Sequence, residues 1–214
     1  MRSSVVVSAA LMIALALVGQ ASAVPITVTV MSTDVPKDIP DNDPTGITSV
    51  LTGPNWVITD IDLIIGELRH DYVSDLNISL KAPSGYQKQL IVNGDDGGIL
   101  ASLFQVTDFF NTTFDDEAVT NLAAGTAPFT GSFNINHPFT VGNDPLATFI
   151  GENALGTWTL SISDTVYEDS GQLVHWGIRF TADAPEGPEV IPEPCTLSLL
   201  ALGGLAALLR RRRA

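Results

Sequence analysis

The stretch from residue 151 to residue 180 alternates apolar and polar side chains in two successive runs. The apolar positions are Trp158, Leu160 and Ile162 in the first run, and Val174, Trp176, Ile178 and Phe180 in the second. A period of two places each apolar set on one face of a β-strand. The acidic segment 164–172 between the runs is typical of a surface turn. The sequence therefore predicts two half-buried antiparallel strands joined as a hairpin, with both tryptophans in the core.

The rest of the segment 24–183 continues in the same way and shows no helical periodicity of useful length. Further strand patterns lie at 24–30, 47–51, 60–68, 76–81, 87–92 and 104–113. Roughly eight short strands at a spacing of ~8–12 residues predict an all-β fold, an antiparallel β-sandwich of the jelly-roll type.

Three local signals refine this prediction. Segment 34–44 holds three prolines and four aspartates, so we expect a loop there. The sequence Ile64-Ile65-Gly66 interrupts an alternating run and predicts either burial on both faces or a bulge. Pro83-Ser84-Gly85 predicts a turn that joins the strand at 76–81 to the strand at 87–92.

The charge of the domain restricts its partners. All 24 acidic residues lie between Asp34 and Glu193, against only five Lys or Arg residues in the same stretch. Phosphate binding needs clusters of Lys and Arg, so nucleic acid is not an expected partner. Calcium, which binds carboxylate oxygens, is compatible with this composition, and a solvated acidic surface is the alternative. The single cysteine, Cys195, leaves no internal disulfide.

The first 23 residues have the form of a secretory signal peptide. Arg2 precedes an apolar run at 5–18, and Ala21-Ser22-Ala23 fits a small-x-small cleavage site. We therefore predict a signal peptide at 1–23, with signal peptidase recognising Ala21 and Ala23, and an exported domain at 24–183. A retained N-terminal membrane anchor is the alternative.

The other end of the chain carries a second signal. A linker at 184–191 is followed by an apolar helix at 197–209 and by four arginines at 210–213. The helix is short against the roughly 20 residues of a comfortable membrane span, and arginines favour the cytoplasmic side. With Pro192-Glu193-Pro194 in front, segment 192–214 closely resembles the bacterial PEP-CTERM sorting signal. The resemblance implies processing near Pro192, Glu193 and Pro194 by an exosortase-type enzyme of a Gram-negative cell.

Ordered motifs within the domain resemble a second family. They are His70–Leu76, Ala82–Gly85, Asn111–Ala118, Pro128–Phe133 and Gly151–Leu160. They are similar to motifs of the P domain, also called Homo B, of proprotein-convertase-type proteins, over roughly residues 39–180. Two departures are Ser74, where glycine is usual, and Asn136-His137-Pro138, in a segment that often reads Pro-x-x-Pro. The resemblance implies a β-sandwich that usually follows a subtilisin-like serine protease domain, and that binds calcium in some bacterial members.

The residues themselves show no catalytic set. Adjacent residues on a strand point to opposite faces, so His70 and Asp71 do not form a catalytic dyad. The sequence has no Gly-x-Ser-x-Gly nucleophile motif either. We therefore predict a domain that is not an enzyme.

Acidic loop residues are the candidate metal site. Calcium takes about six to eight oxygen ligands, commonly from several loops, and no acidic run here has the spacing of an EF-hand loop. The candidate calcium ligands are Asp41, Asp75, Asp115, Asp116 and Glu117. Solvated turn acids are the alternative.

Three functions stay open at this level. The first is an exported, non-catalytic P-domain module at the cell surface or in the extracellular matrix, anchored transiently by its C-terminal helix. The second is an accessory to a separate subtilisin-like protease. The third is an exopolysaccharide-binding jelly roll, which rests on analogy between folds.

Overall fold

The structure, a computed structural model, describes residues 24–93, 107–135 and 146–184. The strands are β1 (Pro25–Met31), β2 (Lys37–Ile39), β3 (Asp43–Gly53), β4 (Asp60–His70), β5 (Leu76–Lys81), β6 (Gln87–Ile91), β7 (Phe109–Phe114), β8 (Phe129–Phe133), β9 (Gly156–Asp164) and β10 (Gly171–Asp183). The helical elements of the described ranges are three short 3₁₀ turns, Val73–Asp75, Leu122–Ala124 and Ala147–Phe149. The strands form two sheets, which confirms the predicted all-β sandwich. The two predicted terminal helices lie outside the described residues.

The two sheets differ in size and strand order. The six-stranded sheet has the order β1-β10-β4-β7-β8, and β2 also pairs with β10. The four-stranded sheet has the order β3-β9-β5-β6. Every pair of these strands is antiparallel except β7 with β8, which is parallel. β10 is the central strand of the larger sheet, because it pairs with β1, β2 and β4.

The hairpin predicted at 151–180 is wrong, although both of its strands exist. β9 lies between β3 and β5 in the four-stranded sheet, whereas β10 lies between β1 and β4 in the six-stranded sheet. The connection 165–170 therefore crosses from one sheet to the other. A hairpin and a crossing between sheets give the same alternation, because each strand buries one face in either case. Here that face packs against the opposite sheet.

Segment 34–44, predicted as a loop, is more ordered than expected. β2 pairs with Leu173–Gly171 of β10, and β3 already begins at Asp43. The three-residue strand β2 fits between Pro36 and Pro40 because neither proline has to donate to the ladder. Its last residue, Ile39, is buried in the core.

Two other local predictions are confirmed. β5 and β6 form the predicted second hairpin. β10 aligns His175 with Glu67 and Trp176 with Ile65, so Gly66 has no opposite residue and forms a bulge. The bulge changes which face of β4 points inward on either side of it.

Aromatic side chains from both sheets fill the space between them. Trp158 of β9 and Phe180 of β10 have ring centroids 5.4 Å apart, and Phe149 contacts Trp158 at 5.3 Å. Phe109 and Phe129 form a second group, with ring centroids 5.3 Å apart. All five side chains are fully buried. Such ring pairs contribute about 0.5–1.5 kcal/mol beyond the area that they bury.

A hydrogen-bond network joins the two sheets; it is buried at Trp176 and Ser49 and reaches the surface at Asp34. The indole N–H of Trp176 donates to Ser49 Oγ at 2.6 Å, from β10 to β3. The Ser49 hydroxyl in turn donates to the carboxylate of Asp34, which precedes β2. The Ser32 hydroxyl donates to the same carboxylate at 2.6 Å, and the Val50 amide donates to it at 3.2 Å. Partial burial works to raise the pKa of Asp34, but these hydrogen bonds outweigh it and lower the pKa to about 2.

The variant Asp34→Asn should lose stability at neutral pH but not in strong acid. The pKa of Asp34 is depressed from 3.8 to about 2 on folding, so its contribution is present above pH ~4 and is lost as the pH falls towards 2. We expect a loss of about 1 kcal/mol at neutral pH, after discounting for the exposure of the carboxylate, and almost none near pH 2. Urea unfolding at several pH values measures this loss of unfolding free energy. Asp183→Asn, at an exposed position, is the control. An equal loss at both ends of the pH range would contradict this assignment.

Candidate functional site

A cleft forms where three strands of the six-stranded sheet end together. Antiparallel pairing brings the end of β4, at His70, beside Gly171 of β10, and brings Leu68 beside Phe109 of β7. Asp108 extends this edge, because its carboxylate accepts the His70 N–H at 2.9 Å and its own N–H donates to the His70 carbonyl at 3.2 Å. The cleft has a volume of about 590 Å³.

The walls of the cleft combine an aromatic ring with polar side chains. Phe110 is 47% exposed, although an alternating strand would be expected to carry a polar residue at this outward position. Arg69 forms an ion pair with Glu67 at 2.6 Å, and Gln172 and Asp108 also line the cleft. A ring face beside hydrogen-bonding groups can bind a flat polar ligand such as a sugar. This cleft was not predicted from the sequence, and the outward-facing Phe110 was the signal that could have indicated it.

A histidine–carboxylate pair lies directly beneath the cleft. His70 Nε2 is 3.2 Å from Asp164 Oδ2, and both side chains are completely buried. His70 Nδ1 accepts the Tyr72 N–H at 3.1 Å, so the ring proton must be on Nε2, from which it donates to Asp164. Asp164 Oδ1 accepts the Val166 N–H at 3.0 Å. The pair links the ends of β4 and β9, which belong to different sheets.

This pair is structural and not catalytic. A histidine base needs a free ring nitrogen within reach of a nucleophile or a substrate proton. Both ring nitrogens of His70 are already hydrogen-bonded, and no part of the side chain reaches solvent. The pair therefore fixes the conformation of the chain where β4 ends.

Asp164 was predicted as a surface turn acid, and this prediction is wrong. The side chain has the same strand parity as Trp158, Leu160 and Ile162, and like them it is buried. β9 runs to Asp164, so the alternation predicted up to Ile162 continues by two residues and turns this carboxylate inward. A carboxylate at an inward position is a signal for a buried partner, which the structure identifies as His70.

The five candidate calcium ligands lie at opposite ends of the sandwich. Asp75 ends the 3₁₀ turn before β5 and lies near Asp164, and Asp41 follows β2 at the same end. The set Asp115, Asp116 and Glu117 follows β7 near the start of β4. The eleven residues of β4 separate these ends by about 30 Å, so one ion cannot contact both sets. Within the described ranges, no group of three or more His, Cys, Asp or Glu side chains is placed to hold a metal ion.

Both acidic ends nevertheless concentrate negative charge. Partial burial raises the pKa of Asp75, against a hydrogen bond from Ser74, and the charge of Asp164 raises it further. At the other end, partial burial raises the pKa of Glu117, and so does the charge of Asp60. A cation at either end would relieve this repulsion.

Calcium binding stays a prediction, and removing the metal tests it. An ion that binds only the folded state adds about 2.7 kcal/mol at a hundredfold excess over its dissociation constant, so EDTA should lower the thermal midpoint. Asp75→Asn and Asp115→Asn each remove one charge, at opposite ends. The variant whose midpoint no longer responds to EDTA locates the ion. Superimposable melting curves with and without EDTA would end the calcium prediction.

The predicted processing sites are not among the described residues. This holds for Ala21 and Ala23 and for the sorting motif Pro192-Glu193-Pro194. Within the described part of the chain, no helix is long and apolar enough to cross a membrane.

The fold and the buried pair define a non-catalytic β-sandwich domain. The family model of the proprotein convertase P-domain matches residues 63–180, more than half of the 214-residue chain. The chain belongs to this family, the accessory domain of subtilisin-like proteases. Family membership confirms both the resemblance of the motifs and the prediction that the domain is not an enzyme.

Solved structures include partial matches of low similarity. The serine protease of Aeromonas sobria, alone and in complex with its chaperone, matches with 17% identity and TM-scores of 0.43 and 0.44. Each match covers 82% of this chain and 30% of the protease chain. A structure of infectious bursal disease virus, Gt strain, matches with 13% identity and a TM-score of 0.35, over 77% of this chain and 33% of the other. No curated protein matches the sequence.

Proposed function

We propose that this protein is an exported, non-catalytic P-domain module that associates with a subtilisin-like protease. The observation that carries the proposal is the family match over residues 63–180, which include strands of both sheets, since this family is the accessory domain of such proteases. An accessory role needs a rigid scaffold and a surface for a partner. The Trp176–Ser49–Asp34 network and the buried His70–Asp164 pair supply the rigid scaffold.

An exposed apolar rim supplies a surface suited to a protein partner. We define the apolar rim as Val57, Tyr86, Ile150 and Leu155, which are 58%, 46%, 46% and 55% exposed. Backbone bridges join Val57 to Asn153 and Leu155 to Gly53, and Tyr86 packs on Phe149, the neighbour of Ile150. The rim therefore lies at one end of the sandwich, opposite the cleft. Clustered apolar side chains on a soluble domain are typical of protein interfaces.

Native purification of the tagged full chain from its own cells tests the association. The wild-type chain should recover a subtilisin-like protease. Leu155→Asp places a charge in the apolar rim and should abolish the recovery. Tyr167→Asp changes a side chain that is 74% exposed at the other end, so it should recover the protease as the wild type does. Clean isolation of the wild-type chain alone would refute the protease partner.

Export and sorting form the second part of the proposal. They are supported by the signal-peptide form of 1–23 and by the PEP-CTERM resemblance of 192–214. We expect the mature protein to start at Val24 and to be found at the cell surface or in the matrix. Replacing Pro192-Glu193-Pro194 by alanines should hold it at the membrane with its tail uncut. Cell fractionation measures the location and N-terminal sequencing measures the cleavage. A cytoplasmic protein with an intact N-terminus would disprove export.

Binding of an extracellular polysaccharide is a second candidate function, which the cleft favours. Sugars stack on aromatic rings and hydrogen-bond to side chains such as those of Arg69, Asp108 and Gln172, which line the cleft together with Phe110. Calorimetric titration with the host exopolysaccharide should show binding that Phe110→Ala removes. Phe110 is exposed, so the variant should keep its thermal midpoint. Absence of heat and of retention with the wild type would exclude this function.

A further inference from the structure

β1 is an edge strand without the usual protection against further pairing. It forms one edge of the six-stranded sheet, and among the described strands it pairs with β10 alone. Its seven residues, PITVTVM, include no charged side chain, and its register with β10 has no bulge. Natural edge strands are commonly shielded by charges, by central prolines or by bulges. The one proline of β1, Pro25, stands at its first position.

Alternate amides of β1 point away from the sheet. The Ser32 N–H donates to the Trp176 carbonyl at 2.9 Å, and the Ala184 N–H donates to the Val24 carbonyl at 3.0 Å. These two bonds show that the even-numbered residues turn their backbone groups towards β10. The odd-numbered residues Thr27 and Thr29 therefore direct their N–H and C=O groups to the open edge. A strand added there would satisfy these groups.

The edge of the four-stranded sheet shows the contrast. β3 is an edge strand too, and its outward groups at Val50 are occupied by side chains. The Val50 N–H donates to the Asp34 carboxylate at 3.2 Å, and the Ser32 hydroxyl oxygen lies 2.9 Å from the Val50 carbonyl oxygen. Asp34 and Ser32 thus block pairing at β3. The described residues provide no such side-chain bond to the backbone of Thr27 or Thr29.

The side chains of β1 are also incompletely covered. Ile26, Val28 and Val30 face the core but are only half-buried, and Thr27 and Thr29 are exposed. Inward-facing apolar residues elsewhere in the six-stranded sheet, such as those of β4 and β10, are almost completely buried. A neighbouring strand would remove the remaining apolar surface of β1 from water.

We propose that β1 pairs antiparallel with β1 of a second copy of this chain, about a two-fold axis at Val28. The segment from Ile26 to Val30 reads the same in both directions by residue class, apolar and threonine in turn. This register places Thr27 opposite Thr29 of the second copy, so that outward N–H and C=O groups meet in hydrogen-bonded pairs. It also places threonine against threonine on one face and β-branched apolar side chains against each other on the other.

The same register suits the ends of the strand. Pro25, which lacks an N–H, stands opposite Met31 of the second copy, where the pairing ends. Val28 faces its own counterpart in a non-hydrogen-bonded pair, as expected from its amide, which is turned towards β10. A self-complementary strand favours a second copy over an unrelated segment, because a two-fold axis satisfies both edges at once.

A disulfide across the two-fold axis tests the register in the full chain, exported to an oxidising compartment. Val28→Cys, in a background with Cys195→Ser, should cross-link most of the protein as a dimer. The Cα atoms of such a pair are about 4.5 Å apart, within disulfide reach. Ile26→Cys is the matched control on the same face, because its counterpart lies four residues along the strand, about 13 Å away. We expect at least a tenfold lower dimer yield for this control on a non-reducing gel.

A second variant tests the pairing of β1 without cysteine, in case the cysteine variants fold or express poorly. Thr29→Pro removes an outward N–H and no bond to β10, so it should leave the strand content by circular dichroism unchanged. It should weaken self-association at least tenfold in sedimentation of the exported protein, whereas Thr29→Val should not. Equal cross-linking of Val28→Cys and Ile26→Cys, a cross-link to a different protein, or full dimerisation of Thr29→Pro would each overturn the proposal.

Discussion

Replacing Asp164 by alanine should lower the free energy of unfolding by about 2–5 kcal/mol. The substitution leaves two donors without acceptors, the buried Nε2–H of His70 and the partly buried amide of Val166. A buried donor that loses its partner costs about 1–3 kcal/mol, and the His70 and Asp164 side chains are both completely buried. Urea unfolding monitored by tryptophan fluorescence gives the difference.

Asp71→Ala is the matched control for this prediction. Asp71 follows His70 in the sequence but is exposed, so its removal should change the unfolding free energy by less than about 0.5 kcal/mol. The double variant His70→Ala with Asp164→Ala should lose less unfolding free energy than the sum of the two single variants. Each single variant already removes the His70–Asp164 hydrogen bond, so the double variant cannot lose it twice. Additive single effects would show that His70 and Asp164 do not interact.

Trp176→Ala should destabilise the domain by about 3–5 kcal/mol. The side chain is fully buried between the sheets, and its indole N–H bonds to Ser49 across them. The alanine variant leaves a large cavity and also removes the donor from the network that ends at Asp34. Chemical unfolding of the purified variants measures the loss.

Two controls separate the ring of Trp176 from its N–H group. Trp176→Phe keeps most of the buried area and removes only the hydrogen bond, so it should cost about 1–2 kcal/mol. His175→Ala changes the exposed neighbour on β10 and should be nearly neutral. A Trp176→Ala variant as stable as His175→Ala would contradict the placement of β10 in the core.

Strand positions could be predicted because a half-buried strand leaves a pattern of period two in the sequence. β9 and β10 are where the alternation places them, and the interruption at Gly66 is the bulge that it suggested. β2 could not be predicted in the same way. Three residues between Pro36 and Pro40 are too few to show a pattern, and they are ordered by β10, which lies far along the chain.

The candidate site was predicted less well than the fold. The acids around Asp75 and Asp115 were grouped by type, but a carboxylate in a sequence carries no information on which loops meet in space. Asp164 was predicted as a surface turn acid, although it has the strand parity of the buried residues of β9. Its partner His70 lies 94 residues away, and no local pattern connects them.

The sequence by itself determined where the strands run, which face of each turns inward, and the motifs that place the domain in its family. Only the tertiary structure decided that 151–180 is a crossing between two sheets and not a hairpin. The physical reason is that burial of a side chain depends on the face of the strand, which the alternation specifies. The choice of neighbouring strand depends on backbone hydrogen bonds, which are the same for every sequence.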